Sequence, residues 1–149
     1  MSLFGMFQIS ASALTAERLR AEVATSNLAN AETTRTPEGG PYRRRMVLFH
    51  SQPATPFRLL LASSVAGGGA RQASGGVAVN QVVDDPTPPT ARYEPGHPDA
   101  DANGFVQYPS INPVQEMVDL MGAERAYELN ASAVQAAKQM IQQSLQILK

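Results

Sequence analysis

Residues 112–149 read NPVQEMVDLMGAERAYELNASAVQAAKQMIQQSLQILK, the longest stretch of the chain that one element can explain. Asn112 is a good N-cap, Pro113 suits the first helical position, and Gln115 can reach back as the second half of a capping box. No proline follows. Gly122 costs about 1 kcal/mol against alanine without ending the helix. At 1.5 Å per residue, a helix from Pro113 to the chain end spans roughly 55 Å.

Leu120, Tyr127, Val134, Ile141 and Leu148 recur at steps of seven, with Ala123 and Ala137 at the companion positions. This is coiled-coil spacing, and the alanines allow close approach. Met117, Ala131 and Leu145 widen the stripe on one flank; Ala126, Ala133, Met140 and Ile147 widen it on the other. The spread implies more than one partner helix. Asn130 lies in the seam, where a polar side chain fixes register rather than adding stability. Burying the five large seam residues contributes roughly 8 to 15 kcal/mol at about 1.5 to 3 each. Ordering costs about 1 to 2 kcal/mol per residue, so the helix is expected to fray in the free monomer. An ordinary bundle core shows the same pattern.

A matching element lies at the other end. From Phe7 to Asn30 there is neither Gly nor Pro, and the apolar residues form two stripes: Phe7, Leu14, Ala21 and Leu28, then Ile9, Ala16, Leu19 and Val23, roughly opposite. Such a helix sits between neighbours. Glu17, Arg18, Arg20 and Glu22 make a mixed-charge, solvated face. Ala11-Ser12-Ala13 resembles a cleavage box, but no Lys or Arg precedes it and Gln8 and Ser10 break the apolar run, so a cleaved signal is not expected. The chain has no run of eighteen apolar residues, and the polar face is not rich enough in Lys and Arg for an amphipathic membrane anchor.

A length of 149 residues suits one domain or a small domain with extended ends, and a net charge of −1 argues against nucleic acid as the main partner. The absence of cysteine excludes disulfides, zinc-thiolate sites and thiol catalysis. Nearly all Gly and Pro fall between Pro37 and Pro113. Within that centre Arg43–His50, Phe57–Leu61, Val77–Val83 and Thr90–Tyr93 have the character of short strands, and Gly67–Gly69 with Gly75–Gly76 that of a flexible loop tip. The expected class is α+β, with residues 1–36 and 109–149 as terminal helices and 37–108 as a small β-rich centre carrying a Gly-rich loop at 66–76.

Asp99, Asp101, Asn103 and Gly104 reproduce the first half of an EF-hand loop, but Ser110 stands where a bidentate Glu is needed and Pro95 and Pro98 preclude the incoming helix. An Asp/Asn turn is the expected structure. His97 has no second His nearby, so no metal site is expected. Arg43, Arg44 and Arg45 are too short a run for nucleic acid; in a strand the middle one faces away from the others, and protein contact is the favoured role. His50 and His97 lie in no motif with a nucleophile. Neither catalysis nor a cofactor is expected.

SNLANAETTRTPEGGPYRRR, from Ser26 to Arg45, resembles the segment that follows the first helix in flagellar basal-body rod proteins of the FlgC type. YEPGHPDADANGFVQYPSINPVQEMVDLMGAERAYELNA, from Tyr93 to Ala131, resembles the same family's C-terminal signature. The resemblance implies a non-enzymatic axial subunit of the proximal rod. Its terminal helices would pack as a coiled coil lining the inner tube, with a small central domain outside. The rod spans the periplasm and transmits motor torque to hook and filament. Export would run through the flagellar type III apparatus without a cleaved signal. The implied neighbours are copies of itself, FlgB, FlgF and FlgG, with FliE at the base.

Carried over by position, Asn27, Asn30, Pro41 and Tyr42 match the first signature; Tyr108, Pro109, Asn112, Glu116, Met117, Arg125, Tyr127 and Asn130 match the second. Ser110, Glu124 and Leu129 depart from the family pattern, and Gln52–Gly76 matches nothing in it. With the seam residues, the expected assembly interface is Phe7, Leu14, Leu19, Val23, Asn27, Leu28, Asn30, Pro41, Tyr42, Asn112, Met117, Leu120, Arg125, Tyr127, Asn130, Val134, Ile141 and Leu148. The rival classes are a soluble coiled-coil adaptor, which forms a defined small oligomer with helical ends, and a calcium-dependent enzyme or sensor, whose melting temperature rises with calcium.

Overall fold

The computed structural model describes residues 3–52 and 75–147. The expected strand at Phe57–Leu61, the Gly67–Gly69 loop tip and Leu148 lie outside the described residues. Chain order is α1 (Leu3–Ala29), β1 (Arg45–Ser51), β2 (Val77–Asp84), β3 (Thr90–Tyr93), β4 (Phe105–Tyr108) and α2 (Pro113–Ile147). The class is α+β, as expected, with two two-stranded sheets among the described residues, β1 with β2 and β3 with β4.

The described residues fall into two compact units. The first comprises residues 3–18, 49–52, 75–80 and 124–147; the second comprises 19–48 and 81–123. Each takes part of both helices and part of the β1–β2 pair.

In the first unit, Ala16 of α1 and Ala137 of α2 are the fully buried apolar residues. Met6, Phe7 and Ile9 line a shallow apolar hollow of about 210 Å³ with Ala133, Val134 and Ala137. Ser12 ties the sheet to α1: its Oγ donates to the Ile9 carbonyl (2.7 Å) and accepts the Val77 N–H (3.0 Å). Gly76 is required by this contact, because a Cβ there would collide with Ser12 Oγ and lie 2.8 Å from Ser12 Cβ. The Gln52 N–H donates to the Gly76 carbonyl at 2.7 Å, closing that end of the β1–β2 pair.

In the second unit, Ala24 of α1, Ala123 of α2 and Val106 and Tyr108 of β4 are buried. The Asp85 N–H donates to the Arg44 carbonyl at 2.7 Å, closing the other end of β1–β2; with the Gln52–Gly76 bond this fixes an antiparallel pair. β3 and β4 pair antiparallel, from Thr90 opposite Tyr108 to Tyr93 opposite Phe105. β4 was not anticipated. It alternates, with Val106 and Tyr108 inward and Phe105 and Gln107 outward, so its two buried side chains suffice to hold a four-residue strand. Outside, the Tyr93 and Phe105 rings meet edge to face with centroids 5.4 Å apart.

The helix boundaries follow local chemistry. Asn30 Nδ2 donates to the Ser26 carbonyl at 2.9 Å and Asn30 Oδ1 accepts from Thr33 Oγ1, terminating α1. Asn112 Oδ1 accepts the Val114 N–H at 3.0 Å, the N-cap bond expected for α2. Along α2 the buried and half-buried positions are Glu116, Asp119, Leu120, Ala123, Ala126, Asn130, Ala131, Val134, Ala137 and Ile141, at steps of three and four with single neighbours. The stripe contains most of the expected seam; Tyr127, in the same register, is 45% exposed. Away from the stripe Val114, Met121, Leu129 and Leu145 are each more than half exposed.

Candidate assembly site

Several polar residues of the two sequence signatures, among them Asn27, Tyr42 and Glu116, converge in the second unit. Asn27, buried on the last turns of α1, uses its whole amide. Oδ1 accepts the Arg45 N–H (2.9 Å) while Nδ2 donates to the Arg45 carbonyl (2.8 Å), so the side chain pairs with the start of β1 as a neighbouring strand would. The same Nδ2 donates to Glu116 Oε2 at 3.0 Å, and the Tyr42 hydroxyl donates to Oδ1 at 3.2 Å. Glu116, 2% exposed in the first turn of α2, completes its pairing through Oε1, which accepts from Arg44 Nε at 2.6 Å. Arg44 also reaches Asp85 (3.4 Å) and Asp119 (3.8 Å), and Arg20 of α1 donates to Asp119 at 3.4 Å.

One connected set of hydrogen bonds and ion pairs thus joins α1, the entry to β1, the exit from β2 and the first turns of α2. Burial acts to lower the Arg44 pKa, but the hydrogen bonds and charges of Glu116 and Asp85 outweigh it, so the pKa is raised and Arg44 stays cationic. Asp85 is held below the usual carboxylate range by the Thr87 hydroxyl and N–H, then by Arg44. A buried charge pair of this kind is a weak source of net stability but a strong discriminator between arrangements, since any misplacement strands a buried charge.

The TPEGGPY stretch builds the turn that delivers Arg43–Arg45. The Thr36 N–H donates to the Gly40 carbonyl (2.9 Å) and the Gly39 N–H to the Thr36 carbonyl (3.0 Å). Gly39 and Gly40 both have left-handed φ, 91° and 77°, which explains the Gly-Gly pair. The Tyr42 N–H then donates to the Thr33 carbonyl, closing the loop against the end of α1.

The Asp/Asn turn formed as expected: Asp101 Oδ1 accepts from the Asn103 and Phe105 N–H groups, and Asp99 accepts from Thr34 Oγ1 at 2.8 Å. These carboxylates are used locally. Among the described residues no group of three His, Cys, Asp or Glu is placed to hold a metal ion. His97 is not solvent-facing on all sides: its Nδ1 accepts the Asp99 N–H and its ring meets the edge of Tyr108. The Tyr108 hydroxyl donates to Glu94 at 2.9 Å, which raises its pKa, while Arg92 stacks on the ring at 4.6 Å.

The structure distributes the expected interface residues over several environments. Asn27 is internal, with Asn30, Pro41 and Tyr42 around the neighbouring turn, and Asn112 is the α2 cap. Phe7, Leu14, Leu19, Val23, Leu28, Leu120, Val134 and Ile141 are half-buried. Asn130 is half-buried too and donates back to the Ala126 carbonyl at 2.8 Å. Met117, Arg125 and Tyr127 are exposed. The sequence reading matched Glu116 to the family but did not place it in the site, and it left open which arginine turns inward. Arg44 is the one, flanked by exposed Arg43 and Arg45, in agreement with strand alternation.

The two ends of this fold are those of flagellar rod proteins. Residues 7–35 match the family described as flagella basal body rod protein, and residues 102–147 match the flagellar basal body rod FlgEFG protein C-terminal family. The flagellar basal-body rod protein FlgC of Bacillus subtilis is 42% identical across the whole of both chains. That of Borreliella burgdorferi is 38% identical over 100% of this chain and 99% of its own, and that of Salmonella typhimurium 39% over 97% of each. The chain belongs to the FlgC family of flagellar basal-body rod proteins.

Proposed function

We propose that this protein is a structural subunit of the proximal rod, polymerising through its terminal helices into the shaft that carries torque from the motor to the hook and filament. End-to-end identity with FlgC proteins carries the reading. The fold supports it: α2 keeps large apolar side chains exposed, those of α1 are half-buried, and the polar network fixes how the chain segments between them are held. Residues 1–36 and 109–149 form the axial part, as a coiled coil with neighbours, and 37–108 the outer part. Chains reach the rod through the flagellar type III export apparatus without a cleaved signal and assemble in the periplasm. Their neighbours there are further copies, FlgB, FlgF and FlgG, with FliE at the base.

Long helices packed side by side resist twist because sliding them would unpack many contacts at once. The test is complementation of a flagellated bacterium lacking its own FlgC. The wild-type chain restores swimming and is recovered in purified basal bodies, whereas Leu120→Asp and Val134→Asp are exported but not incorporated. Normal swimming by both variants refutes assembly through the α2 seam. Size-exclusion chromatography with circular dichroism of the full chain separates the adaptor reading, which requires a stable, highly helical small oligomer.

A further inference from the structure

We propose that the arginine-lined hollow beside the Thr36–Gly40 turn receives the Glu124/Glu128 edge of α2 from a second copy of the chain. This rests on the rod reading and names a contact within it.

The hollow measures about 330 Å³ and is bordered by Arg35, Arg43, Arg45, Pro37, Tyr42 and Asp84, with Glu38 as the second carboxylate on its wall. Arg43 is exposed and makes no ion pair among the described residues. Arg35 is 79% exposed and reaches Asp99 only at 3.7 Å; Arg45 is 53% exposed, 3.8 Å from Asp84 and 5.7 Å from the centre of the Tyr42 ring. Ion pairs this long and this wet hold little free energy, so the guanidinium groups can exchange them for a better acceptor. The rim is preorganised by the Thr36–Gly40 and Tyr42–Thr33 backbone bonds, and the Tyr42 hydroxyl is already engaged with Asn27. The backbone of the rim thus has little ordering entropy left to lose when a carboxylate enters, and the ordering cost falls on the arginine side chains.

Glu124 and Glu128 are the complementary feature. They stand four residues apart on one edge of α2, about 6 Å from each other in a regular helix, and both are exposed without an ion pair among the described residues. Two carboxylates at that spacing fit two forked guanidiniums, a geometry Arg satisfies bidentately. Hollow and edge are different patches of opposite charge, both carried by every copy. A contact between them is heterologous, and heterologous contacts propagate into an open helical array rather than closing a dimer.

The chain has no cysteine, so Arg43→Cys and Glu128→Cys introduce the only thiols. In basal bodies purified from the complemented strain, a short bismaleimide should link the double variant into a ladder of dimers and higher multimers and leave each single variant unlinked. A chain present in basal bodies without a ladder overturns the contact; a chain absent from basal bodies, in the wild type as well, overturns the rod reading instead. A charge swap decides where the thiol variants fail to incorporate. Arg43→Glu and Glu128→Arg should each at least halve the swimming halo, and the two together should recover most of it. A combination no better than the worse single variant removes the second copy as the occupant, and impairment by Arg43→Glu alone then assigns the hollow to an acidic segment of a different rod protein.

Discussion

Replacing Glu116 by alanine removes the acceptor that Arg44 Nε reaches at 2.6 Å and one of the two that Asn27 Nδ2 uses. A net charge-assisted hydrogen bond is worth about 1.5 to 3 kcal/mol, and stranding the partner of a buried pair costs about 3 to 5. Arg44 is not wholly stranded: it is 23% exposed and retains Asp85 at 3.4 Å and Asp119 at 3.8 Å. Asn27 Nδ2 likewise keeps the Arg45 carbonyl. The expected loss is therefore nearer the lower range, about 2 to 3 kcal/mol. Urea unfolding of the full chain, followed by tyrosine fluorescence in the absence of tryptophan, reads it directly. With a slope of about 2 kcal/mol per molar, the midpoint should fall by roughly 1 M. Glu116→Gln keeps one acceptor oxygen and should lose about half as much. The paired replacement Arg44→Met with Glu116→Leu should be less harmful than Glu116→Ala alone, because it buries no unpaired charge. A loss below about 0.5 kcal/mol for Glu116→Ala, within the scatter of ordinary surface substitutions, refutes the network as a determinant of the fold. So does strict additivity in the Arg44/Glu116 cycle.

The remaining expectations concern other parts of the chain. Gly76→Ala forces a Cβ into Ser12, whose hydroxyl cannot turn away without releasing Val77 and Ile9; overpacking of this kind costs about 1 to 3 kcal/mol, and a thermal melt should show a drop of several degrees. Asn112→Ala deletes the α2 cap bond and should cost about 1 kcal/mol in the same melt, with Asn112→Asp close to wild type. Asp85 has a folded pKa below its unfolded value, so its contribution is present above the unfolded value and is lost as pH falls through the folded one. Acid titration should show the wild type losing more stability than Asp85→Asn in that window, and identical acid limbs would count against the Thr87 and Arg44 contacts.

The legible parts of this fold are those whose cause lies within a few residues. Asn112-Pro113 announces a helix start in one dipeptide, and Thr90–Tyr93 follows directly on the Asp/Pro-rich breaker at Asp84–Pro89. β4 escaped because its pairing partner lies across a long turn and its four residues have no pattern of their own until Val106 and Tyr108 are seen to be buried. Gly76 looked like loop flexibility, whereas its cause is Ser12, far away in sequence. The Arg43–Arg45 run shows the same limit. Alternation predicts that one arginine differs from the other two, but only Glu116 determines that the middle one is internal. Asn27 was singled out through a family signature, and its physical role as a surrogate strand partner depends on a backbone turn that the sequence names only through Gly39-Gly40.

The partition of residues between inside and outside bears on the proposed role as a rod subunit. Among the described residues, the fully buried apolar positions of the two helices are alanines: Ala16 and Ala137 in one unit, Ala24 and Ala123 in the other. Each contributes on the order of 1 kcal/mol of burial, too little to hold long helices against their ordering entropy. Val114, Met121, Leu129 and Leu145, each worth about 1.5 to 3 kcal/mol when covered, are more than half exposed. Part of the hydrophobic free energy of α2 is thus left for contacts beyond the chain. Within the chain, beside this small apolar core, stand polar contacts, the Asn27, Arg44 and Glu116 network and the Ser12 clasp, which add little net stability but penalise wrong arrangements. Under the proposed function, a subunit built this way sets its internal arrangement through these polar contacts and gains further apolar burial along α2 from its neighbours in the rod.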